Sequence, residues 1–126
     1  PPNTTKIEID KGLMHNYTSA TDADFKAFFA PGAYPYEIPN SITYPTGEGI
    51  TINWTDGNGN NWNTNFGSGD QTGSTFTIIS VEDVYDLTGT YYLKVKAQFK
   101  CKLYKENTGE MKQLINGEFV GYFGKI

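Results

Sequence analysis

The chain has 126 residues, 14 of them acidic and 10 basic, giving a net charge of −4, and every basic residue is a lysine. This length holds one domain with enough surface to bury for a single core without cross-links. An acidic chain without arginine lacks the guanidinium fork that reads phosphate and guanine, so nucleic acid is excluded as an expected partner.

A single β domain is expected over residues 1–126, with residues 1–6 a flexible, polar lead-in. Lys6–Asp10 and Leu13–Thr18 read as short strands around Lys11-Gly12. Thr21 or Asp22 can cap free amides and Asp24 suits the helix dipole, so a short helix is expected to start there and run to Phe29 or Ala30. Pro31-Gly32 ends it. Residues 31–47 carry Pro31, Pro35, Pro39 and Pro45, which remove ladder donors and leave loop or edge strand. Tyr34, Tyr36 and Tyr44 make this an aromatic loop rather than a plain linker.

From Gly49 the chain reads as a meander. Ile50, Ile52 and Trp54 alternate with polar residues, as do Trp62, Thr64 and Phe66. Asp56-Gly57-Asn58-Gly59-Asn60 between them is a turn signal. A two-residue turn at Asn58-Gly59 would put Trp62 opposite Thr55 and mix the faces. A three-residue loop, Gly57-Asn58-Gly59, puts Trp62 opposite Trp54 and Phe66 opposite Ile50, with Gly59 in the left-handed position. Thr75–Ile79 is a further strand. Ser80–Leu87 reads as a connector, with one helical turn capped by Ser80.

Thr90–Lys105 carries the clearest pattern. Tyr91, Leu93, Val95, Ala97, Phe99, Cys101 and Leu103 alternate with Tyr92, Lys94, Lys96, Gln98, Lys100, Lys102 and Tyr104. This is a strand with one buried face and one basic, wet face. Lys94, Lys96, Lys100 and Lys102 serve either as a solvated face that discourages unwanted pairing or as a docking patch for an acidic partner. Asn107-Thr108-Gly109 is read as the loop of a final hairpin. It sets Ala97 against Phe119 and Leu93 against Phe123, with Gly117 and Gly121 opposite Phe99 and Val95. Fully extended, residues 89–105 would span ~55 Å, far beyond a common strand, so this strand must bend. The expected fold is therefore all-β: an antiparallel β-sandwich or small barrel-like meander of about eight strands, with at most one short helix.

The ordered series Asp56-Gly57-Asn58-Gly59-Asn60-Asn61-Trp62, Ser74-Thr75-Phe76-Thr77-Ile78, Leu87-Thr88-Gly89-Thr90-Tyr91 and Ile115-Asn116-Gly117-Glu118-Phe119 resembles small secreted or lipid-anchored domains of Bacteroidetes gut bacteria. The resemblance covers roughly residues 49–126. It offers no catalytic residues to carry over. It implies a cell-envelope location, with a lipid anchor on a cysteine upstream of Pro1 as the only membrane attachment.

Residues with catalytic potential are sparse. Cys101 is the only cysteine, set between Phe99 and Leu103 on the apolar face, where a thiol is inert. His15 is the only histidine, and alone it makes neither a triad nor a zinc site. Asp56, Asn58, Asn60 and Asp70 resemble a calcium loop in part, but its twelfth position holds Gly67 in place of glutamate, and the same residues suit a tight hairpin. Asp22/Asp24 and Glu82/Asp83 are adjacent acids, not carboxylates set across a cleft. The chain is accordingly expected to be a non-catalytic envelope binding or structural module, with no cofactor and no metal. Its partner would be a glycan or an envelope protein. Tyr34, Tyr36, Tyr44, Trp54 and Trp62 are the candidate ligand-binding residues, either as rings that stack on a sugar or, for the tryptophans, as a cross-strand core pair. A barrel closing around a small apolar ligand is the remaining alternative.

Overall fold

The computed structural model describes residues 5–11, 19–37 and 49–124. The expected strand at 13–18, His15 and Tyr44 lie outside them. Among the described residues, seven strands and one helix follow in the order β1 (Lys6–Lys11), α1 (Asp22–Phe28), β2 (Gly32–Ala33), β3 (Ile50–Thr55), β4 (Asn61–Asn63), β5 (Thr75–Tyr85), β6 (Tyr91–Lys105) and β7 (Met111–Gly124). The fold is all-β, and the seven strands belong to one antiparallel sheet. A single parallel bridge between Tyr36 and Ile50 adds to it.

The helix begins as its residues dictate. Thr21 Oγ1 accepts from the Asp24 amide at 3.1 Å, and the Asp24 carboxylate accepts from the Thr21 amide at 3.0 Å. This reciprocal capping box satisfies two amides that the first turn leaves bare. Phe25 and Phe29 are buried, and Phe29 packs on Phe123 with ring centroids 4.6 Å apart.

β6 organises the sheet. One of its edges is occupied by β5 along Tyr91–Lys100 and by β4 at Tyr104 and Lys105, while β7 pairs with its other edge. The strand therefore carries the sheet from one half into the other, and the halves fold over a shared core. Leu93, Val95, Ala97, Phe99, Cys101 and Leu103 are buried, whereas Lys96, Gln98 and Lys100 are exposed. Tyr104 departs from the alternation. It is buried because the segment from Thr64 to Ser74 covers it, and its hydroxyl donates to the Asp70 carbonyl at 2.6 Å.

The sheet does not close into a barrel. β1 and β2 are its ends, and β7 has no strand on its outer side among the described residues. β1 and β7 nevertheless face each other. Ile9 of β1 and Phe119 and Phe123 of β7 border one gap of about 10 Å³ over the core. That space holds one water at most.

Three local expectations are corrected. Ser80–Leu87 is not a connector: β5 continues to Tyr85 through a bulge at Ile79. The bulge swaps the faces, so that Val81 stands opposite Val95 and Glu82 opposite Lys94. β4 stops at Asn63, so Phe66 does not pair with Ile50. The Asn63 side chain accepts from the Asn65 amide at 2.7 Å and turns the chain. The last hairpin loop has four residues, Glu106–Gly109, since Lys105 N donates to Glu110 O at 2.7 Å. A second bulge at Asn116, whose φ is 56°, restores the expected pairs Phe99–Gly117, Ala97–Phe119 and Leu93–Phe123.

Candidate functional site

The Asp56–Asn60 turn closes as a three-residue loop, with Asp56 N donating to Asn60 O at 2.9 Å and Gly59 at φ 84°. This register sets Trp54 opposite Trp62. The rings lie 5.9 Å apart and 32° from coplanar. Trp62 is buried, and its indole N–H donates to Asp56 Oδ2 at 3.0 Å. That bond, with the amides of Asn60 and Asn58 and the Asn60 side chain, holds the Asp56 carboxyl down at about 2. The carboxylate oxygens that a calcium ion would need are thus engaged in turn chemistry.

Trp54 is half-buried, and its N–H donates to Thr5 Oγ1 at 2.9 Å. Thr5 in turn donates to the Thr55 carbonyl at 2.9 Å, which fixes the start of β1 beside the ring. Here the seam between β1 and β7 stands open. It forms a groove of about 540 Å³ lined by Thr5, Lys6, Ile7, Trp54, Leu103, Lys112, Gln113 and Leu114. The floor is apolar, with Leu103 buried and Ile7 half-exposed at 50%. No carboxylate lines it. Lys112 Nζ stands 5.0 Å from the Trp62 ring centroid and 5.9 Å from that of Trp54, while Lys105 Nζ lies 5.9 Å from the Trp62 ring. Neither ammonium has an ion-pair partner among the described residues. Two cations on one aromatic pair, at the end of an apolar groove, make a place for a ligand with an apolar body and an anionic group.

The other candidates lie elsewhere. Tyr36 is buried and its hydroxyl donates toward the carbonyls of Thr75 and Lys100, each 3.0 Å away; burial pushes its pKa up. Tyr34 is half-buried, its hydroxyl donates to the Ala30 carbonyl, and burial raises its pKa too. They border a cleft of about 510 Å³ on the side of the Asp70–Ser74 loop. Polar groups there are already used: Gln71 donates to the carbonyls of Thr64 and Lys102 and accepts from Lys102 N and Ser74 Oγ. The tyrosines and tryptophans therefore do not form one platform. On the outer sheet face, Lys96 and Lys100 are exposed, Lys94 stands between Glu82 and Tyr122, and Lys102 Nζ is 3.7 Å from Asp70. Val120 and Tyr122 are exposed beside these lysines. Cys101 is 3% exposed, and burial pushes its thiol up to about 12.

Of the groove residues, the sequence pattern marks Trp54 alone as a binding candidate; it places Leu103 in the core and does not single out Ile7, Leu114 or Lys112. Lys112 escaped because a three-residue final loop would set it opposite Tyr104 on the wet face. The four-residue loop sets it opposite Leu103, facing inward.

No family model, no curated protein and no solved structure matches this chain. Among the described residues, no helix is long and apolar enough to cross a membrane.

Proposed function

We propose that this domain is a non-catalytic binding module of the cell envelope that takes its ligand in the groove over Trp54. The observation that carries the reading is the groove itself: an apolar floor ending at the Lys112 ammonium group, which has no ion-pair partner among the described residues, with Lys105 behind it over the Trp62 ring. The ligand it suits is an apolar chain bearing a carboxylate or similar anion. The envelope setting is supported by the turn and strand motifs of residues 49–126 alone. The narrow gap of about 10 Å³ beneath β1 and β7 and the open sheet favour this surface seam over a barrel interior for an apolar ligand.

A glycan stacked on Trp54 is the second reading, favoured by the half-buried ring. The lining weighs against it. A sugar needs side chains that accept from paired hydroxyls, and the groove offers no carboxylate and one amide, that of Gln113.

Tryptophan emission separates the two. Decanoate, a ten-carbon carboxylate, is expected to shift it saturably in wild type and not in Trp54→Phe. Lys112→Glu is expected to weaken decanoate about threefold, the scale of one exposed ion pair, and a panel of neutral polysaccharides to leave emission unchanged. Polysaccharide binding without decanoate binding would replace this reading with the glycan one.

A further inference from the structure

Among the described residues, both walls of the groove are unpaired strand edges. β1 contributes Lys6 and Ile7 and pairs there with β3 alone; β7 contributes Lys112, Gln113 and Leu114 and pairs there with β6 alone. β7 runs for fourteen residues. Its edge carries few of the devices that usually blunt such an edge. It has no proline, Lys112 is its only lysine, and Met111, Ile115, Val120 and Tyr122 are exposed. The bulge at Asn116 interrupts it once, leaving Met111–Ile115 as a regular free edge beside the apolar floor.

We infer that this seam binds an extended peptide segment by strand addition to the β7 edge over Met111–Ile115. The inference rests on the Trp54 groove being the binding site. A strand laid on that edge sends alternate side chains inward. With the added strand antiparallel to β7, the side chain beside Leu114 is directed at Leu103 and Trp54, and the one two residues on, beside Lys112, is directed at the paired cations. The partner is therefore a segment with an apolar residue at i and an acidic residue at i+2. The charge pattern selects it: the groove holds two lysines, Lys6 and Lys112, with Lys105 close behind, and no acid. Lys6 is already neutralised by Glu8 at 2.9 Å, so the acidic side chain goes to Lys112 and Lys105.

The test uses a fluorescein-labelled hexapeptide of serine, valine, threonine, valine, serine and glutamate, with anisotropy as readout. Two N-methylated forms carry methyl groups on alternate amides of opposite parity. Strand addition requires one parity to lose about tenfold or more in affinity and the other to bind within about twofold, because only one set of amides faces the edge. Lys112→Glu is expected to weaken the peptide about threefold but not its glutamine analogue, with circular dichroism confirming the fold. Equal loss for both methylated forms would overturn strand addition in favour of capture by side chains alone. Decanoate binding without any peptide binding would overturn it while leaving the groove as a ligand site, and failure of both probes would remove the groove reading as well. A dimer in sedimentation that the peptide does not displace would make a second copy of the chain the occupant, which also overturns the proposal.

Discussion

The loop aspartates organise more structure than their size suggests. Asp56 and Asp86 each open a three-residue loop, each accepts from backbone amides two and four residues on, and each loop has its glycine at φ 84°. In Asp56 the carboxylate also fixes the Trp62 indole, which in turn supports Trp54. Its pKa is held at about 2, below the ordinary carboxylate value of about 3.9. A depressed folded-state pKa means the stabilisation is complete above the unfolded value and is lost as pH falls through the folded one. Urea midpoints are therefore expected to decline from about pH 4 toward pH 2. Asp56→Asn should unfold at lower urea at neutral pH and show a shallower acid decline; Asp70, Asp83 and Asp86, whose pKa values are also lowered, account for what remains. An Asn variant with the wild-type acid limb would contradict this role. The Asp-x-x-Gly spacing was readable in the sequence, since the αL glycine and the Asx turn are local chemistry.

At the scale of elements, register decides what each residue does. Gly117 lies opposite Phe99, and a Cβ built there would come within 2.7 Å of the ring carbons. Gly117→Ala is expected to cost about 1–3 kcal/mol through overpacking. In a double-mutant cycle with Phe99→Leu, the alanine should cost less than in wild type by about 0.5 kcal/mol or more; strict additivity would show that the ring does not enforce the glycine. The alternation along β6 predicted this contact correctly, although by an unexpected route. The final loop is one residue longer than the turn signal suggested, and the bulge at Asn116 removes the offset beyond it. Between loop and bulge the faces are exchanged, which is why Lys112 points over the tryptophans. A two-residue period cannot reveal a one-residue offset that is later reversed, because both halves of the strand remain internally consistent.

Across the whole molecule, stability concentrates where β6 joins both halves. Leu93, Val95, Ala97, Phe99, Cys101 and Leu103 are all buried along it, with β5 and β4 on one edge and β7 on the other. Among the described residues, β1 is largely exposed and paired on one side only, and β2 spans two residues. Native-state hydrogen exchange should find the slowest amides in β6 and its β5 partners, with β1 exchanging at least tenfold faster (about 1.4 kcal/mol of local opening). Equal protection in β1 would mean that the seam is closed in solution, leaving no edge for a ligand.

The alternating pattern, the Asx–glycine turns and the helix cap determined the fold class, six of the strands and the Trp54–Trp62 pairing, because each depends on neighbours close in sequence or on one hairpin. The groove was decided by tertiary structure. Periodicity says which side of a strand meets the core but not which edge lacks a partner. That depends on where the bent sheet brings β1 back to β7, and there Ile7, Leu103, Leu114 and Lys112 meet from strands up to about a hundred residues apart in the chain.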